Sequence, residues 1–400
     1  MNGEGGLVFD LYCEGPAVVD VRLHSNRPLF VPRLLCGKPP SEALRLLGTM
    51  FRICGVAHRF AGLMAWRQAT RAEVLPRVHQ AQQLLVNLET VREHVWHTLV
   101  TWPELLGSEP QRNAGLTLLS RLLPEMERAL FESGQGLVID ARLATDAAAV
   151  EKTVAQLEVL IERHVLGMSM QQWRAIDSAQ QLNEWAGHCD TPAARLIGTM
   201  VERSWQRLGQ PSGDVHDHAY TLPDLTGTDV ERALVGEARD GFIARPTWQG
   251  HCQETNAWTR QAGQPLVSAV TAAYGKGGLA RWVARLVELV ELFQSIKQNG
   301  RDLAVCGEDV APAQADSATG RGMAMVEAAR GRLMHWLALE RGVVADYAIV
   351  APTEWNFHPQ GVAVQGLKTL AADDPPQLKQ QAALWINAID PCVGYELRIH

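Results

Sequence analysis

The feature that most restricts the fold of this chain is a long helical pattern between residues 77 and 100. Apolar side chains recur there every three or four residues, at Leu84, Leu88, Val91, Val95 and Leu99. Such spacing places them on one face of an α-helix. Similar patterns predict further helices at 113–131, 146–165, 192–208 and 279–296. A chain with this many amphipathic helices is expected to be predominantly helical.

Both ends of the chain have a different character, because β-branched and aromatic residues are frequent there. Residues 7–23 form two such runs around Gly15-Pro16, and residues 333–350 form two runs around Arg341-Gly342. Each pattern predicts a β-hairpin. We therefore predict an α+β fold, predominantly helical, with a small antiparallel sheet contributed by the chain ends. Ser41 is predicted to cap a helix that leads towards Cys54.

Composition excludes several classes of function. The 400 residues have a formal charge of -7, with 46% hydrophobic and 20% charged residues, so we expect no basic face for nucleic acid. The first residues lack the pattern of a signal peptide, and no apolar stretch approaches the roughly 20 residues that cross a bilayer. We expect a cytoplasmic protein that binds neither nucleic acid nor membrane.

The seven cysteines are scattered and contain no C-x-x-C pair. This pattern is typical of reduced thiols, and it argues against a disulfide framework, a structural zinc site or an iron-sulfur cluster held by this chain alone. Two cysteines have informative neighbours: Cys54 lies in Arg52-Ile53-Cys54-Gly55, and Cys392 follows Asp390-Pro391. Thiolates suit nickel, low-valent iron and zinc, whereas the commonest role of a free cysteine is that of a small buried hydrophobe.

These two segments resemble the cysteine motifs of the nickel-iron hydrogenase large subunit, Arg-x-Cys-Gly-x-Cys and Asp-Pro-Cys-x-x-Cys. Ala57 and Tyr395 stand where each motif has its second cysteine. Further segments resemble the family in the same order: Glu14-Gly15-Pro16, Arg92-Glu93-His94 with His97, Glu327-Ala328-Ala329-Arg330-Gly331, and Ala351-Pro352-Thr353-Glu354-Trp355-Asn356. The resemblance implies one large-subunit-like domain over 1–400, with a pocket built from 1–105 and 321–400 and a divergent helical middle over 106–320.

The resemblance also implies roles for single residues. Cys54 and Cys392 would bind the metal, and the loss of both bridging thiolates implies that the chain is not an enzyme. Arg330, Pro352 and Thr353 match residues that, in the family, surround the cyanide and carbonyl ligands of the iron. Such residues are needed there because buried anionic ligands require hydrogen-bond donors. The alternative for Arg330 is a structural ion pair with Asp390 or Glu93, and for Thr353 a turn or strand residue.

Four weaker metal-binding candidates each have a simpler interpretation. Glu14 resembles a proton-pathway glutamate but is equally well a solvated turn residue. His94 and His97 share a helical face and could bind a metal, although a hydrogen-bonded role in the core is the more common one. His400 lies two residues beyond the position of the family's terminal histidine, which places a magnesium site with Glu14 in question.

The whole set of features is similar to the HupK/HoxV group of hydrogenase accessory proteins. With no segment after His400 to be cleaved, the implied role is a scaffold that receives the Fe(CN)2(CO) fragment from hydrogenase maturation proteins and delivers it to the large-subunit precursor. The alternatives are a metal-free interaction protein of hydrogenase assembly and a structural subunit of a hydrogenase-related complex. The scaffold role requires the sulfurs of Cys54 and Cys392 to face each other across a small closed chamber, with Arg330 on its wall.

Overall fold

The computed structural model describes residues 5–111, 115–210, 220–305 and 317–400, with the side chain of Tyr220 excepted. Cys306, one of the seven cysteines, lies outside these residues. None of the helices in the described ranges is both long enough and apolar enough to cross a membrane.

The first sheet joins the two ends of the chain. Strands β1 (Leu7–Glu14) and β2 (Ala17–Ser25) pair antiparallel around Gly15, and the last strand, β8 (Tyr395–Ile399), pairs with β1 in parallel. The predicted N-terminal hairpin and a sheet from both chain ends are therefore confirmed. The sheet is mixed rather than purely antiparallel, because its order is β2-β1-β8 and β8 runs in the direction of β1.

The second sheet consists of three antiparallel strands, β5 (Gly320–Ala328), β6 (Gly331–Glu340) and β7 (Val343–Val350). Its β6–β7 hairpin, predicted from the sequence, turns at Arg341 and Gly342, which both have positive φ as a type I′ turn requires. Strand β5 was not predicted. A Cβ atom at Gly322 would lie 1.9 Å from the carbonyl oxygen of Ala65, so glycine allows helix and strand to approach closely.

Helices form most of the rest of the fold. The longer ones are α1 (Pro40–Met50), α2 (Gly55–Thr70), α3 (Pro76–Trp96), α5 (Leu116–Leu130), α6 (Ala147–Ile161), α8 (Ala179–His188), α9 (Pro192–Glu202), α13 (Pro265–Tyr274), α14 (Gly278–Ala304) and α17 (Pro375–Ile389). The shorter ones are α4 (Trp102–Leu105), α7 (Met170–Arg174), α10 (Gly227–Val235), α11 (Arg239–Ala244), α12 (Ala257–Gln261), α15 (Pro352–Asn356) and α16 (Val362–Leu367). A two-stranded parallel pair, β3 (Tyr220–Thr221) and β4 (Gln253–Glu254), lies between α9 and α13.

The helix predictions from apolar spacing are confirmed, but α9 ends at Glu202 instead of 208 and α14 continues to Ala304 instead of 296. Helix α3 continues through a π-helical turn at His97–Thr101, as α6 does at Glu162–Leu166. Thr191 caps α9 by accepting a hydrogen bond from the amide of Ala194. Ser41 does not cap α1, because that helix begins one residue earlier, at Pro40.

The core is organised around the pair α3 and α14. The apolar face of α3 predicted from the sequence is buried, and α14 is buried over most of its length. Inside this pair, Nε2 of His94 on α3 lies 2.8 Å from a carboxylate oxygen of Glu288 on α14. A second apolar cluster, which includes Met334, Trp336 and Trp355, packs α10 and α11 against the second sheet. The division of the chain into a family-like pocket and a divergent middle stays a prediction.

Candidate functional site

Cys54 lies immediately before helix α2. Helix α1 ends at Met50, and Cys54, with φ of -122°, is the residue that precedes the first helical residue, Gly55. The carboxylate of Glu89 accepts hydrogen bonds from the amides of Val56 at 2.9 Å and Ala57 at 3.0 Å. These bonds satisfy amides at the start of α2 that have no intrahelical partner. Glu89 thereby fixes the turn that carries Cys54.

Cys392 lies between the end of helix α17 and strand β8. Asp390 ends α17 in a left-handed conformation, with φ of 70°, and turns the chain towards Pro391 and Cys392. The hydroxyl of Thr353 in α15 donates a hydrogen bond to the sulfur of Cys392 at 2.9 Å. Pairing of β8 with β1 then returns the chain to the N-terminal sheet. The first turn of α15 and this loop together position the second thiol.

The two thiols line one cavity of about 270 Å³, here called the cysteine cavity. Its other lining residues are mostly apolar, with three arginine or glutamate side chains among them: Arg27, Pro28, Leu29, Val31, Pro32, Leu34, Met50, Phe51, Arg52, Ile53, Ile349, Ala351, Glu354 and Val393. Burial raises the pKa of the Cys54 thiol, and the proximity of Cys392 raises it further. The fold thus brings together two cysteines that are more than three hundred residues apart in the sequence.

The expected closed chamber is only partly correct. Exposed side chains, among them Leu34 and Ile53, line the cysteine cavity, so the cavity is open to the surface. Arg330 is buried, as expected, but it is not one of the lining residues. Its guanidinium is held instead by two carboxylates, Glu93 and Asp390, which do not line the cavity either.

Arg330 is the centre of a buried charge network. Its Nη1 and Nη2 atoms lie 3.4 Å from a carboxylate oxygen of Glu93, and its Nε atom lies 3.4 Å from Asp390. Nη2 also donates to Nε2 of His97 at 2.9 Å. Burial alone would lower the pKa of Arg330, but Asp390, Glu93 and the two thiols raise it, so the guanidinium stays charged. The ion pairs considered as the alternative for Arg330 are therefore present.

Asp390 connects this network to the loop of Cys392. It lies 3.6 Å from Nη2 of Arg285, which also donates to the carbonyls of Asn387 and Ala388 at the end of α17. A cation at this position is favourable because a helix carries partial negative charge at its C-terminus. Burial opposes ionisation of Asp390, yet Arg330 and the neighbouring cations lower its pKa.

The two histidines proposed as weaker metal ligands act as hydrogen-bonded core residues in the structure. His94 contacts Glu288, which also accepts hydrogen bonds from Nε and Nη2 of Arg260. Burial lowers the pKa of His97 to about 4, so its neutral ring can accept a hydrogen bond from Arg330. Among the described residues, no group of three or more His, Cys, Asp or Glu side chains is arranged to hold a metal.

The remaining predicted site residues do not line the cysteine cavity. Ala57 is buried on α2, and the Tyr395 ring packs edge-on against Phe9, with its hydroxyl accepting a hydrogen bond from Asn387. Pro352 is buried in the first turn of α15, next to Thr353.

The suggested magnesium pair, Glu14 and His400, is not assembled as a site in the structure. Glu14 is exposed at the end of β1, and His400 instead contacts Asp10 at 2.8 Å and stacks on Tyr12.

Sequence reasoning missed two residues that face the thiols, Arg27 and Glu354. They form a nearly buried ion pair, with side chains 12% and 7% exposed, and both line the cysteine cavity. Glu354 lies inside a segment that resembles the hydrogenase motif, but the resemblance gives it no role. Arg27 lies in a loop without any motif, so no sequence signal identifies it.

Comparison with known proteins places this geometry in context. The sequence model of the family described as nickel-dependent hydrogenase matches residues 216–392. The nickel-iron-selenium hydrogenase of Desulfomicrobium baculatum superimposes with a TM-score of 0.65 over 96% of this chain and 95% of its own, at 16% identity. The chain therefore has the fold of the nickel-dependent hydrogenase large subunits.

Two curated relatives define the group more narrowly. The hydrogenase expression/formation protein HoxV of Cupriavidus necator is 33% identical over 380 residues, which cover 92% of this chain and 90% of the relative. The protein of the same description named HupK, from Bradyrhizobium diazoefficiens, is 28% identical and covers 97% of this chain and 94% of its own. This chain belongs to the HoxV/HupK family of hydrogenase expression/formation proteins.

Proposed function

We propose that this protein is a non-catalytic scaffold in nickel-iron hydrogenase maturation, which holds the Fe(CN)2(CO) fragment as cargo and passes it to the hydrogenase large-subunit precursor. Family membership supports a role in hydrogenase formation. The observation that carries the cargo proposal is the cysteine cavity, which two thiols from opposite ends of the chain line together. Its partners would be the maturation protein that supplies the fragment and the precursor that receives it.

The residues present fit this cargo. Two thiolates are soft ligands suited to low-valent iron. A water-sized group takes roughly 30 Å³, so a cavity of about 270 Å³ has room for an iron atom with three diatomic ligands. The hydroxyl of Thr353, already on the sulfur of Cys392, can stabilise the thiolate by a charge-assisted hydrogen bond.

Two properties favour release of the cargo over permanent binding. The cysteine cavity supplies two thiols, half the number of the four-thiolate hydrogenase centre that the sequence motifs resemble. Its wall is also partly open, since Leu29, Leu34 and Ile53 are exposed and line it. A weaker donor set and an open path both suit a carrier.

Infrared spectroscopy tests the proposal. Protein purified without oxygen, from cells that contain the maturation machinery, is expected to show cyanide and carbonyl stretching bands. The double variant Cys54→Ser/Cys392→Ser should lack them, and Cys189→Ser, a partly exposed thiol outside the cavity, should retain them. Absence of the bands from the wild type, or their persistence in the double variant, refutes the carrier role.

A metal-free interaction protein is the second candidate, and one observation favours it. Three large apolar side chains that line the cysteine cavity are exposed, Leu29, Leu34 and Ile53, and Phe30, which follows Leu29 in the sequence, is 59% exposed. Apolar residues clustered in this way are typical of protein-binding surfaces. Iron analysis of the purified complex separates the two candidates, because this one predicts partner binding without stoichiometric iron.

A further inference from the structure

Two arginines line the cysteine cavity, and Arg27 is the more buried of them, since Arg52 is exposed. It follows strand β2 on a loop held by a hydrogen bond from the amide of Asn26 to the carbonyl of Gly6. Its side chain is 12% exposed and lines the same cavity as Cys54 and Cys392. The cation that the sequence motif suggested for this role, Arg330, is not among the lining residues. Arg27 and Arg330 therefore have different surroundings.

The difference lies in how many N–H donors remain available. A guanidinium carries five. Arg330 donates from both terminal nitrogens to Glu93 and His97, and only its buried Nε, 3.4 Å from Asp390, makes no hydrogen bond to any described residue. For the side chain of Arg27, the described part of the structure contains a single hydrogen-bond acceptor, Oε1 of Glu354. Arg27 thus has donors left for a group inside the cavity.

Glu354 holds Arg27 in this position. Its second carboxylate oxygen accepts a hydrogen bond from the amide of Ala351 at 3.1 Å, which fixes the carboxylate at the start of α15. The same short helix carries Thr353, the donor to Cys392. Burial would lower the pKa of Arg27, but Glu354 raises it, followed by Cys392 and Cys54. A permanently charged donor therefore stands on the cavity wall beside both sulfurs.

We propose that Arg27, positioned by Glu354, is the anion-binding residue of the cysteine cavity and donates hydrogen bonds to the cyanide ligands of the cargo. This assignment rests on the proposed function for the identity of the cargo. The same fixed guanidinium is expected to bind other small linear anions that enter the cavity. Arg330 then serves as a positioning residue, which holds Asp390 and so the loop of Cys392.

The first test needs no cargo and uses thiocyanate, a linear anion with an infrared-active C≡N stretch, titrated into the metal-free protein. We expect saturable binding with a shifted stretch in the wild type. Loss of a hydrogen bond to a charged group should weaken binding about tenfold or more in Arg27→Gln. Arg33→Gln, which removes an exposed neighbouring arginine outside the cavity lining, should bind as the wild type does.

Variants that protect the fold accompany this test, because Arg27→Gln leaves Glu354 buried without its partner. Arg27→Lys keeps the ion pair, and Arg27→Gln/Glu354→Gln removes both charges. Thiocyanate binding should be partly retained in Arg27→Lys and weak in the double variant. The assignment is overturned if the wild type and the three Arg27 variants bind thiocyanate equally, or if the wild type does not bind it.

The second test uses the loaded protein. Without Arg27 the iron keeps more electron density, so the carbonyl stretch of any cargo that remains should move to lower wavenumber. A carbonyl band identical to that of the wild type in Arg27→Lys and in the double variant overturns the assignment. If thiocyanate binding depends on Arg27 and the wild type lacks cyanide and carbonyl bands, the anion site is supported and only the carrier function is refuted.

Discussion

Replacing Asp390 by asparagine should destabilise the protein strongly, because this carboxylate joins two buried guanidiniums. Asp390 is 4% exposed and lies 3.4 Å from Nε of Arg330 and 3.6 Å from Nη2 of Arg285. At an effective dielectric constant of about 20, each contact is worth roughly 5 kcal/mol of gross attraction. The cost of removing the carboxylate from water offsets much of this, and breaking a buried pair typically costs about 3–5 kcal/mol.

Asparagine is the informative substitution because it has the shape of aspartate and tolerates the positive φ at this position. The change therefore isolates the charge from the backbone. The free energy of unfolding is expected to fall by about 3–5 kcal/mol at pH 7, out of a total that is typically about 5–15 kcal/mol. Urea titration followed by tryptophan fluorescence measures it. Asp373→Asn, on an exposed residue of the segment before α17, is the matched control and should change stability by less than about 0.5 kcal/mol.

The pH dependence gives a second check of the same reasoning. Because neighbouring cations lower the pKa of Asp390 in the folded state, its contribution to stability is present above the ordinary aspartate pKa of about 3.9 and is lost as the pH falls below it. The difference between wild type and variant should therefore shrink in acid. A loss under about 1 kcal/mol at pH 7, or a difference that is constant down to low pH, would refute the reasoning.

Three further predictions concern other parts of the structure. Thr353→Val should lower retention of the iron fragment about tenfold, whereas Thr353→Ser should keep it, because only serine preserves the hydroxyl that donates to the sulfur of Cys392. The iron content per protein after gel filtration measures this. Glu254→Gln removes the carboxylate that accepts two hydrogen bonds from the buried guanidinium of Arg281, so the free energy of unfolding from urea titration should fall by about 3–5 kcal/mol. An equally large loss in Glu158→Gln, at a more exposed carboxylate, would contradict this. Burial lowers the pKa of His335 to about 3, so stability should fall as the pH drops below the ordinary histidine pKa of about 6.5; an equally steep fall in His335→Gln would exclude this residue as a cause.

The long helices and both hairpins could be predicted because their signals are local. Apolar spacing within α3 and α14, and the turn at Arg341 and Gly342, depend on neighbouring residues only. The direction of β8 could not be predicted in this way, because its pairing with β1 depends on the path of the whole intervening chain. Strand β5 was missed since Gly320 and Gly322 usually interrupt a strand, whereas here they allow close contact with α2.

The site was predictable where its residues belong to a recognisable motif. Cys54, Cys392 and Thr353 were selected from the sequence, and the structure brings all three to one place. Arg27 is held by an ion pair with a residue at the other end of the sequence, and no periodicity or spacing can report such a contact. The exclusion of Arg330 from the cavity lining depends likewise on Glu93 and Asp390, which only the folded chain brings to it.

The parallel docking of β8 on β1 has a consequence for the order of events in the cell. Cys392 is synthesised more than three hundred residues after Cys54, so the two sulfurs can meet only once translation has passed Cys392 and β8 has docked on β1. Any group that needs both thiols, such as the proposed iron fragment, could be bound only after that point, and a product truncated before Cys392 would present Cys54 without its partner.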